Sequence, residues 1–156
     1  TAYHIPLLIR LPGVIEPGTK VDGFVEMTDF MPTILSLMDV PHSGREQGRD
    51  AAPLVRGKEV DWKDEAFIHY TRFNRAGIFT PDYELAFVKD AESVLFDRRN
   101  DPEQVNNLYG KPEYEDVVKQ LLDRIVEHNR EVESPALEWL ESLQKEIAHG
   151  AYTRAQ

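Results

Sequence analysis

The hydrophobic residues between positions 67 and 96 fall into four short runs with polar breaks between them. In the clearest run, YELAFV at 83–88, tyrosine, leucine and phenylalanine occupy every second position. Alternation with a period of two is typical of a strand that buries one face. Shorter runs at 67–71, 76–79 and 94–96 are joined by a few residues each, which suits direct turns between neighbouring strands. The pattern predicts a four-stranded antiparallel sheet.

The apolar residues after position 112 recur at intervals of three and four, the spacing of one helix face. Pro112 opens this segment, and three acidic residues follow within four positions, which suits the positive end of a helix. A second helix is predicted at 136–147, with Ser134 as its cap and Pro135 in its first turn. The first helix is expected to cover one face of the sheet with Val117, Val118, Leu121, Leu122, Ile125 and Val126.

The first forty residues follow a different pattern. HIPLLIRL at 4–11 is an almost continuous apolar run, typical of a strand buried on both faces in a parallel sheet. Thr28 and Asp29 are an N-cap pair before an apolar run at 30–38, which predicts a helix there. The fold class is therefore α/β, with one core strand and helix followed by a four-stranded antiparallel sheet packed by a carboxyl-terminal helix.

Composition excludes several classes of partner. The 156 residues suffice for about one domain, and 18 lysines and arginines against 28 acids give a net charge of −10. Such a charge argues against a nucleic-acid partner. No apolar run approaches the roughly 18 residues that span a bilayer, so a soluble chain without a membrane partner is expected. Cysteine is absent, which leaves the cytoplasm, the periplasm and the cell exterior all open as compartments.

Two stretches carry motifs of a known family. Residues 95–108 read LFDRRNDPEQVNNL, and residues 5–41 read IPLLIRLPGVIEPGTKVDGFVEMTDFMPTILSLMDVP. The first resembles the turn LYDL-x-x-DP-x-E-x-x-NL near the carboxyl end of sulfatases, in the alkaline phosphatase superfamily. The second resembles the sulfatase passage in which a core strand and a Pro-Gly loop precede a helix beginning D-x-x-PT-x-L. The matching residues are Asp29, Pro32, Thr33, Leu35, Leu95, Asp97, Asp101, Pro102, Asn107 and Leu108.

This chain departs from the sulfatase motifs at several positions. Phe96 replaces the usual tyrosine, Arg98 replaces leucine, and Gln104 stands where the family has an acid. RAGIF at 75–79 resembles a family strand that reads roughly RAVRT, with Gly77 and Phe79 as departures. The resemblance implies three parts. Residues 1–57 form the end of the sulfatase catalytic α/β domain, 58–130 form a small antiparallel-sheet subdomain with a helix, and 131–156 form a terminal helix or tail.

The chemistry that the resemblance implies is the hydrolysis of sulfuric esters. Sulfatases use a formylglycine made from cysteine or serine in a C/S-x-P-x-R motif, beside a calcium ion that activates the nucleophile and neutralises the sulfate. This chain has no cysteine, and none of its serines begins an S-x-P-x-R sequence. The metal carboxylates and the catalytic lysine and histidine of the family are expected upstream of Thr1. No catalytic or metal residue and no cofactor is therefore assigned to this chain, and the chain alone is expected to be inactive.

Two alternatives to a sulfatase remain open from the sequence. The chain is also compatible with a phosphonate or phosphate monoester hydrolase of the same superfamily, which shares the scaffold. A different class altogether is a free-standing binding module without chemistry.

The candidate substrate-binding residues are His69, Tyr70 and Arg72. They lie at the end of the predicted strand 67–71, in a region that approaches the mouth of the pocket in sulfatases, as the resemblance implies. The guanidinium of Arg72 suits a bidentate contact with an anionic group such as a sulfate ester. The alternative is that His69 and Tyr70 pack or face solvent while Arg72 pairs with a carboxylate.

Two further expectations concern metal and partners. The clustered acids Asp97, Asp101 and Glu103 lack the spacing and glycine of a calcium-binding EF-hand loop, so they are expected to stabilise a turn. The apolar run 4–11 carries large side chains that need a cover, and its strand edges need hydrogen-bond partners. Self-association of the chain through its first forty or so residues is therefore expected.

Overall fold

The computed structural model describes residues 5–69 and 74–152, and the chain divides into two compact units, Thr1–Lys63 and Asp64–Gln156. None of the helices in these ranges combines the length and the apolar character needed to cross a bilayer.

The second unit contains a four-stranded antiparallel sheet in the order β1-β2-β3-β4. The strands are β1 Ala66–His69, β2 Arg75–Phe79, β3 Tyr83–Val88 and β4 Val94–Asp97. The predicted fold class is confirmed. β3 has the predicted bounds, β1 and β2 begin one residue earlier than predicted, and β4 ends one residue later. Positions 70 and 71, at the end of the first predicted strand, lie outside the described residues.

One row of apolar residues crosses the sheet and forms the centre of its buried face. Phe67 lies opposite Ile78, Ile78 opposite Leu85, and Leu85 opposite Leu95. The last three side chains are completely buried. Because side chains alternate between the two faces of a strand, this row sets which face of each strand points into the core.

Gly77 allows β2 and β3 to approach closely. It lies opposite Ala86, and a Cβ at this position would be 2.4 Å from the backbone oxygen of Leu85. No side chain fits there without moving the backbone of β3. The departure from the RAVRT-like family strand thus reflects the local packing of this sheet.

Two helices complete the core of the second unit. A 3-10 turn, Pro112–Tyr114, leads into α3, Glu115–Glu131, which packs on the sheet, and α4, Leu137–Glu146, packs against α3. Both predicted helices are confirmed. Ser134 lies near the start of α4 as expected, and its Oγ accepts a hydrogen bond from the Ala136 N–H at 3.2 Å. The helical residues of the core include Val118, Leu121, Leu122, Ile125, Val126 and Leu140.

The first unit contains a 3-10 turn, Met27–Asp29, the helix α1, Phe30–Leu37, and the short helix α2, Ala52–Val55. The predicted helix at 30–38 is confirmed, and it ends one residue earlier. Asp29 is completely buried. The sequence predicts that its side chain caps α1, but the side chain forms no such hydrogen bond. Its carboxylate instead accepts hydrogen bonds from the backbone N–H groups of Glu26 and Arg49 and from the Arg49 guanidinium.

The strand predicted at 4–11 is wrong for residues 5–11, which form no regular secondary structure; position 4 lies outside the described residues. Leu8 is 94% exposed and Ile5 64% exposed. A strand exists only where neighbouring backbone accepts and donates its hydrogen bonds. All strands in the described part of the chain belong to the sheet of the second unit, so the apolar run has no strand to pair with there.

Candidate functional site

The candidate site lies where β1 ends. His69 is the last residue of β1 and is exposed. Tyr70 and Arg72, the other two predicted substrate-binding residues, lie outside the described residues. The structure therefore locates one of the three predicted positions and shows what surrounds it.

Five side chains form a contact between β1 and α3, which we call the β1–α3 seam: Glu65, Phe67, His69, Arg124 and His128. The first three alternate along the chain at and just before β1, so they point to the same face of the sheet. Arg124 and His128 are four residues apart on α3 and share one side of that helix. The seam therefore forms where one face of a strand, with its period of two residues, packs against one side of a helix, with its period of 3.6 residues.

The two histidines of the seam meet directly. Their Nε2 atoms are 3.1 Å apart, and the ring planes are tilted by 43°. Phe67 stacks on the ring of His128, with 3.8 Å between ring centroids and 2° between planes, which fixes the orientation of that imidazole. Partial burial of His69 lowers its pKa, because desolvation disfavours the imidazolium. The pair does not accommodate two imidazolium rings, since two cations at this distance would repel each other.

Glu65 and Arg124 form the other end of the seam. The Glu65 carboxylate is almost completely buried, and it forms an ion pair with the Arg124 guanidinium. Removing the arginine would leave a buried carboxylate without this cation, which is strongly destabilising in general. This pair holds β1 on α3 and keeps the two histidines in register.

The acidic turn after β4 has a structural role. Asp97 Oδ1 accepts hydrogen bonds from the N–H groups of Arg99 and Asn100, and Asp101 accepts from those of Val105 and Asn106. A hydrogen bond from the Asn100 side chain is the main cause that lowers the pKa of Asp97. For Asp101 the pKa is lowered chiefly by the Asn106 and Val105 amides. The prediction that the clustered acids stabilise the turn is confirmed for Asp97 and Asp101.

The motif residue Asn107 connects this turn to β4. Its side-chain oxygen accepts hydrogen bonds from the N–H groups of Leu95 and Tyr109, both at 3.0 Å. Its side-chain nitrogen donates to the backbone oxygen of Ser93 at 3.1 Å. Three backbone groups at the sheet edge are thereby satisfied by one amide, which accounts for an asparagine at this position.

A serine, a histidine and an aspartate also meet in the first unit. Ser36 Oγ donates to Asp50 Oδ2 at 2.6 Å and lies 2.8 Å from His42 Nε2. In a serine hydrolase the histidine lies between serine and aspartate, so that it takes the serine proton. Here the serine lies between the other two, and the arrangement does not fit a catalytic triad.

Calcium, which the resemblance implies for the whole enzyme, does not fit the residues that the structure describes. Within 5–69 and 74–152, no group of three or more histidine, aspartate or glutamate side chains could hold a metal ion. The clustered oxygen ligands of the turn already accept backbone hydrogen bonds. No step of a reaction is therefore derived through calcium in this chain.

Sequence reasoning singled out His69 but missed its neighbours Arg124 and His128. Both lie on the polar side of a helix that was identified by its apolar side. The signal was the spacing of four between the two residues, matched by Glu65, Phe67 and His69 at spacings of two. The sequence shows each spacing separately, but which residues of α3 lie beside which residues of β1 is set by how the two elements pack.

Comparison with known proteins identifies the family. The family model "N-sulphoglucosamine sulphohydrolase, C-terminal" matches residues 1–131. The N-acetylglucosamine-6-O-sulfatase of Bacteroides thetaiotaomicron is 29% identical over 140 residues, which cover 82% of this chain and 25% of that protein. The chain thus spans about a quarter of the length of this relative. The predicted resemblance to the carboxyl-terminal portion of sulfatases is confirmed.

Solved structures share the fold. A structure from the locus for the metabolism of multiple glycosaminoglycans in Bacteroides thetaiotaomicron superposes with a TM-score of 0.67 at 26% identity, over 92% of this chain and 33% of that chain. The phosphonate monoester hydrolase of Silicibacter pomeroyi superposes with a TM-score of 0.66 at 23% identity, over 82% of this chain and 29% of that chain. At that identity the second likeness shows the fold alone.

Proposed function

Because the chain belongs to the family of N-sulphoglucosamine sulphohydrolase carboxyl-terminal regions, we propose that it serves in a sulfatase, an enzyme that hydrolyses sulfuric esters. The observation that carries this proposal is the family match over residues 1–131, which includes both the first unit and the β1–α3 seam. The similar fold of the structure from the glycosaminoglycan locus supports it.

The substrate class we propose is a sulfated carbohydrate. The relative with 29% identity is an N-acetylglucosamine-6-O-sulfatase, and the structural neighbour comes from a locus for glycosaminoglycan metabolism. Both descriptions name sugars that carry sulfate or belong to sulfated polymers. A rim that binds anionic groups suits such a substrate, because neighbouring sulfates give it more than one negative charge.

In this proposal His69, Tyr70 and Arg72 form the substrate rim. The position of His69 at the exposed end of β1 supports it, since a side chain at a strand end can reach a ligand while the strand stays fixed. Arg72 is proposed to bind an anionic group of the sugar by two parallel hydrogen bonds. The Glu65–Arg124 pair and the Phe67–His128 stack would hold the base of this rim.

We place the chemistry itself outside these residues. In the proposed enzyme the formylglycine and the calcium ion belong to another part of the protein, since this chain contains neither cysteine nor an S-x-P-x-R sequence. Residues 1–57 are proposed to complete the catalytic α/β domain, 58–130 to form the small sheet subdomain, and 131–156 to form a terminal helix or tail.

Two experiments test the proposed function. The first reads the coding sequence upstream of Thr1, where an in-frame C/S-x-P-x-R motif is expected; a start codon directly beside Thr1 would contradict the proposal and favour a binding module. The second compares hydrolysis of an aryl sulfate and an aryl phosphonate monoester by the whole protein. Faster turnover of the sulfate is expected, and faster turnover of the phosphonate would favour the alternative that the Silicibacter neighbour represents.

The rim is tested separately by Arg72→Ala in the whole protein. Loss of a contact to a remote anionic group should raise KM for a sulfated sugar while kcat changes little. Arg99→Ala is the matched control, because Arg99 pairs with Asp82 on an exposed part of the sheet turn. An unchanged KM in Arg72→Ala would remove Arg72 from the rim without affecting the family assignment.

A further inference from the structure

The strongest unassigned feature of the chain is the hydrogen bond between the two histidines of the β1–α3 seam. His69 and His128 are separated by 59 residues in the sequence, yet their Nε2 atoms lie 3.1 Å apart. We propose that His128 is a positioning residue for the substrate rim: it occupies Nε2 of His69, so that Nδ1 is the ring nitrogen that His69 offers to a sulfated sugar. This inference rests on the proposed function, because it takes His69 as a residue of the rim.

The contact between the two rings fixes where the hydrogen of His69 lies. A separation of 3.1 Å is within hydrogen-bond range, and such a bond needs a hydrogen on one nitrogen and a lone pair on the other. A neutral imidazole carries its hydrogen on one of its two nitrogens only. The lowered pKa of His69 keeps this ring neutral above about pH 7. His69 is therefore held in one tautomer, in which Nδ1 is a donor if His128 donates and an acceptor if His128 accepts. A sulfated sugar has oxygen acceptors and hydroxyl donors, so either form gives a contact.

His128 is itself held in place, so it can orient its partner. Phe67 stacks on its ring with 3.8 Å between centroids, and Phe67 lies two residues before His69 on the same face of β1. One turn earlier on α3, Arg124 pairs with the almost completely buried carboxylate of Glu65. The exposed ring of His69 thus contacts a ring that packing has already fixed. A side chain ordered before the substrate arrives loses less freedom on binding, which corresponds to about a two- to tenfold gain in affinity.

The first test is the kinetics of the whole protein on a sulfated sugar. His128→Phe keeps a ring on Phe67 but removes both nitrogens, and it should raise KM about two- to tenfold while kcat changes little. His128→Gln lacks the ring, but its amide can donate or accept at about the position of Nε2, so KM should stay within about twofold of the parent value. A purely structural role for His128 predicts the opposite order, because only phenylalanine preserves the stack on Phe67.

His149→Phe is the matched control, because His149 is an exposed histidine whose ring contacts the backbone oxygen of Lys145; KM and kcat should not change. An unchanged KM in His128→Phe, or a KM that rises in His128→Gln and not in His128→Phe, would overturn the positioning role. If His128→Phe does not fold by circular dichroism, His128→Leu takes its place, since leucine also lacks both nitrogens.

The second test needs no substrate. NMR of the imidazole nitrogens in the 156-residue chain at about pH 7.5 reports which nitrogen carries the hydrogen. His69 is expected to be in a single tautomer in the parent chain and to average between two tautomers in His128→Phe. Averaging in the parent chain, or an unchanged His69 in the variant, would overturn the proposal. A single His69 tautomer in a whole protein that hydrolyses no sulfate ester would instead contradict the proposed function, and the rim role with it, while the hydrogen bond between the histidines stands.

Discussion

Replacing Asp29 by asparagine should destabilise the first unit, because this carboxylate is the centre of its polar contacts. The Asp29 carboxylate is completely buried. Its Oδ1 accepts from the Arg49 N–H at 2.6 Å, and its Oδ2 accepts from the Glu26 N–H and the Arg49 guanidinium, both at 3.0 Å. Asparagine keeps the size of the side chain but replaces one acceptor oxygen by an NH2 group. Because both oxygens of Asp29 accept from N–H groups, this NH2 donor must then lie against an N–H donor of Glu26 or Arg49.

The expected loss follows from these three bonds. Hydrogen bonds to a charged group contribute about 1.5 to 3 kcal/mol each, and a buried donor left without an acceptor costs about 1 to 3 kcal/mol. Part of this is recovered, because the Arg49 side chain is about a third exposed and also donates to backbone oxygens of Phe24 and Lys63 and lies over the Trp62 ring. We therefore expect a loss of about 2 to 3 kcal/mol for the first unit.

The assay must resolve the two units. Native-state hydrogen exchange should show faster exchange for the α1 amides and for the Arg49 amide, with protection of the second unit unchanged. Asp22→Asn is the matched control, since Asp22 is exposed and the same change should alter protection by less than about 0.5 kcal/mol. A loss of under about 1 kcal/mol in Asp29→Asn would refute the view that this carboxylate organises the first unit.

Four other changes have defined outcomes. Burial raises the pKa of Glu84, so ionisation of this carboxyl opposes folding. Glu84→Gln should therefore raise the melting temperature at pH 7. The gain should vanish below about pH 4, because the Glu84 carboxyl is then protonated in both the folded and the unfolded chain. Gly77→Ala should cost about 1 to 3 kcal/mol in denaturant unfolding, because its Cβ would meet the Leu85 backbone; an unchanged midpoint would contradict this packing. Calcium at about millimolar concentration should leave the melting temperature unchanged, and a rise of several degrees would reveal a site outside the described residues. The chain should self-associate in size-exclusion light scattering, less so with Leu8→Asp at its 94% exposed residue; a monomer at high concentration would contradict this expectation.

The second unit could be predicted in detail because its signals are local. Alternation at 83–88 and the three-and-four spacing after Pro112 report which residues of one element share a face. Those faces meet in the structure as the row through Ile78 and Leu85 under α3. The turn after β4 was equally predictable, because aspartate and asparagine bond amides only a few residues away.

The β1–α3 seam could not be predicted, because it depends on register between distant segments. His69 and His128 are 59 residues apart, and shifting α3 by one residue would rotate His128 by about 100° away from β1. The spacing of polar residues on a helix does not show which other element of the fold they contact. A site assembled from one strand end and one helix side therefore remained half identified, with His69 found and His128 missed.

Two departures from the sulfatase motifs, Gln104 and Gly77, each fit a neighbouring residue of the sheet. Gln104, which stands in place of an acid, donates a hydrogen bond to the nearly buried carboxylate of Glu84, and an acid at 104 would instead set two carboxylates together. Gly77 lies beside Ala86 where the strands approach too closely for any side chain. Substituting the family residue singly at either of these two positions should therefore be unfavourable, even though the family fold is kept. The apolar run at 5–11 keeps the family pattern, but among the described residues there is no strand for it to pair with. A hydrophobic pattern shows that a segment needs to be buried, but it does not show which other segment covers it.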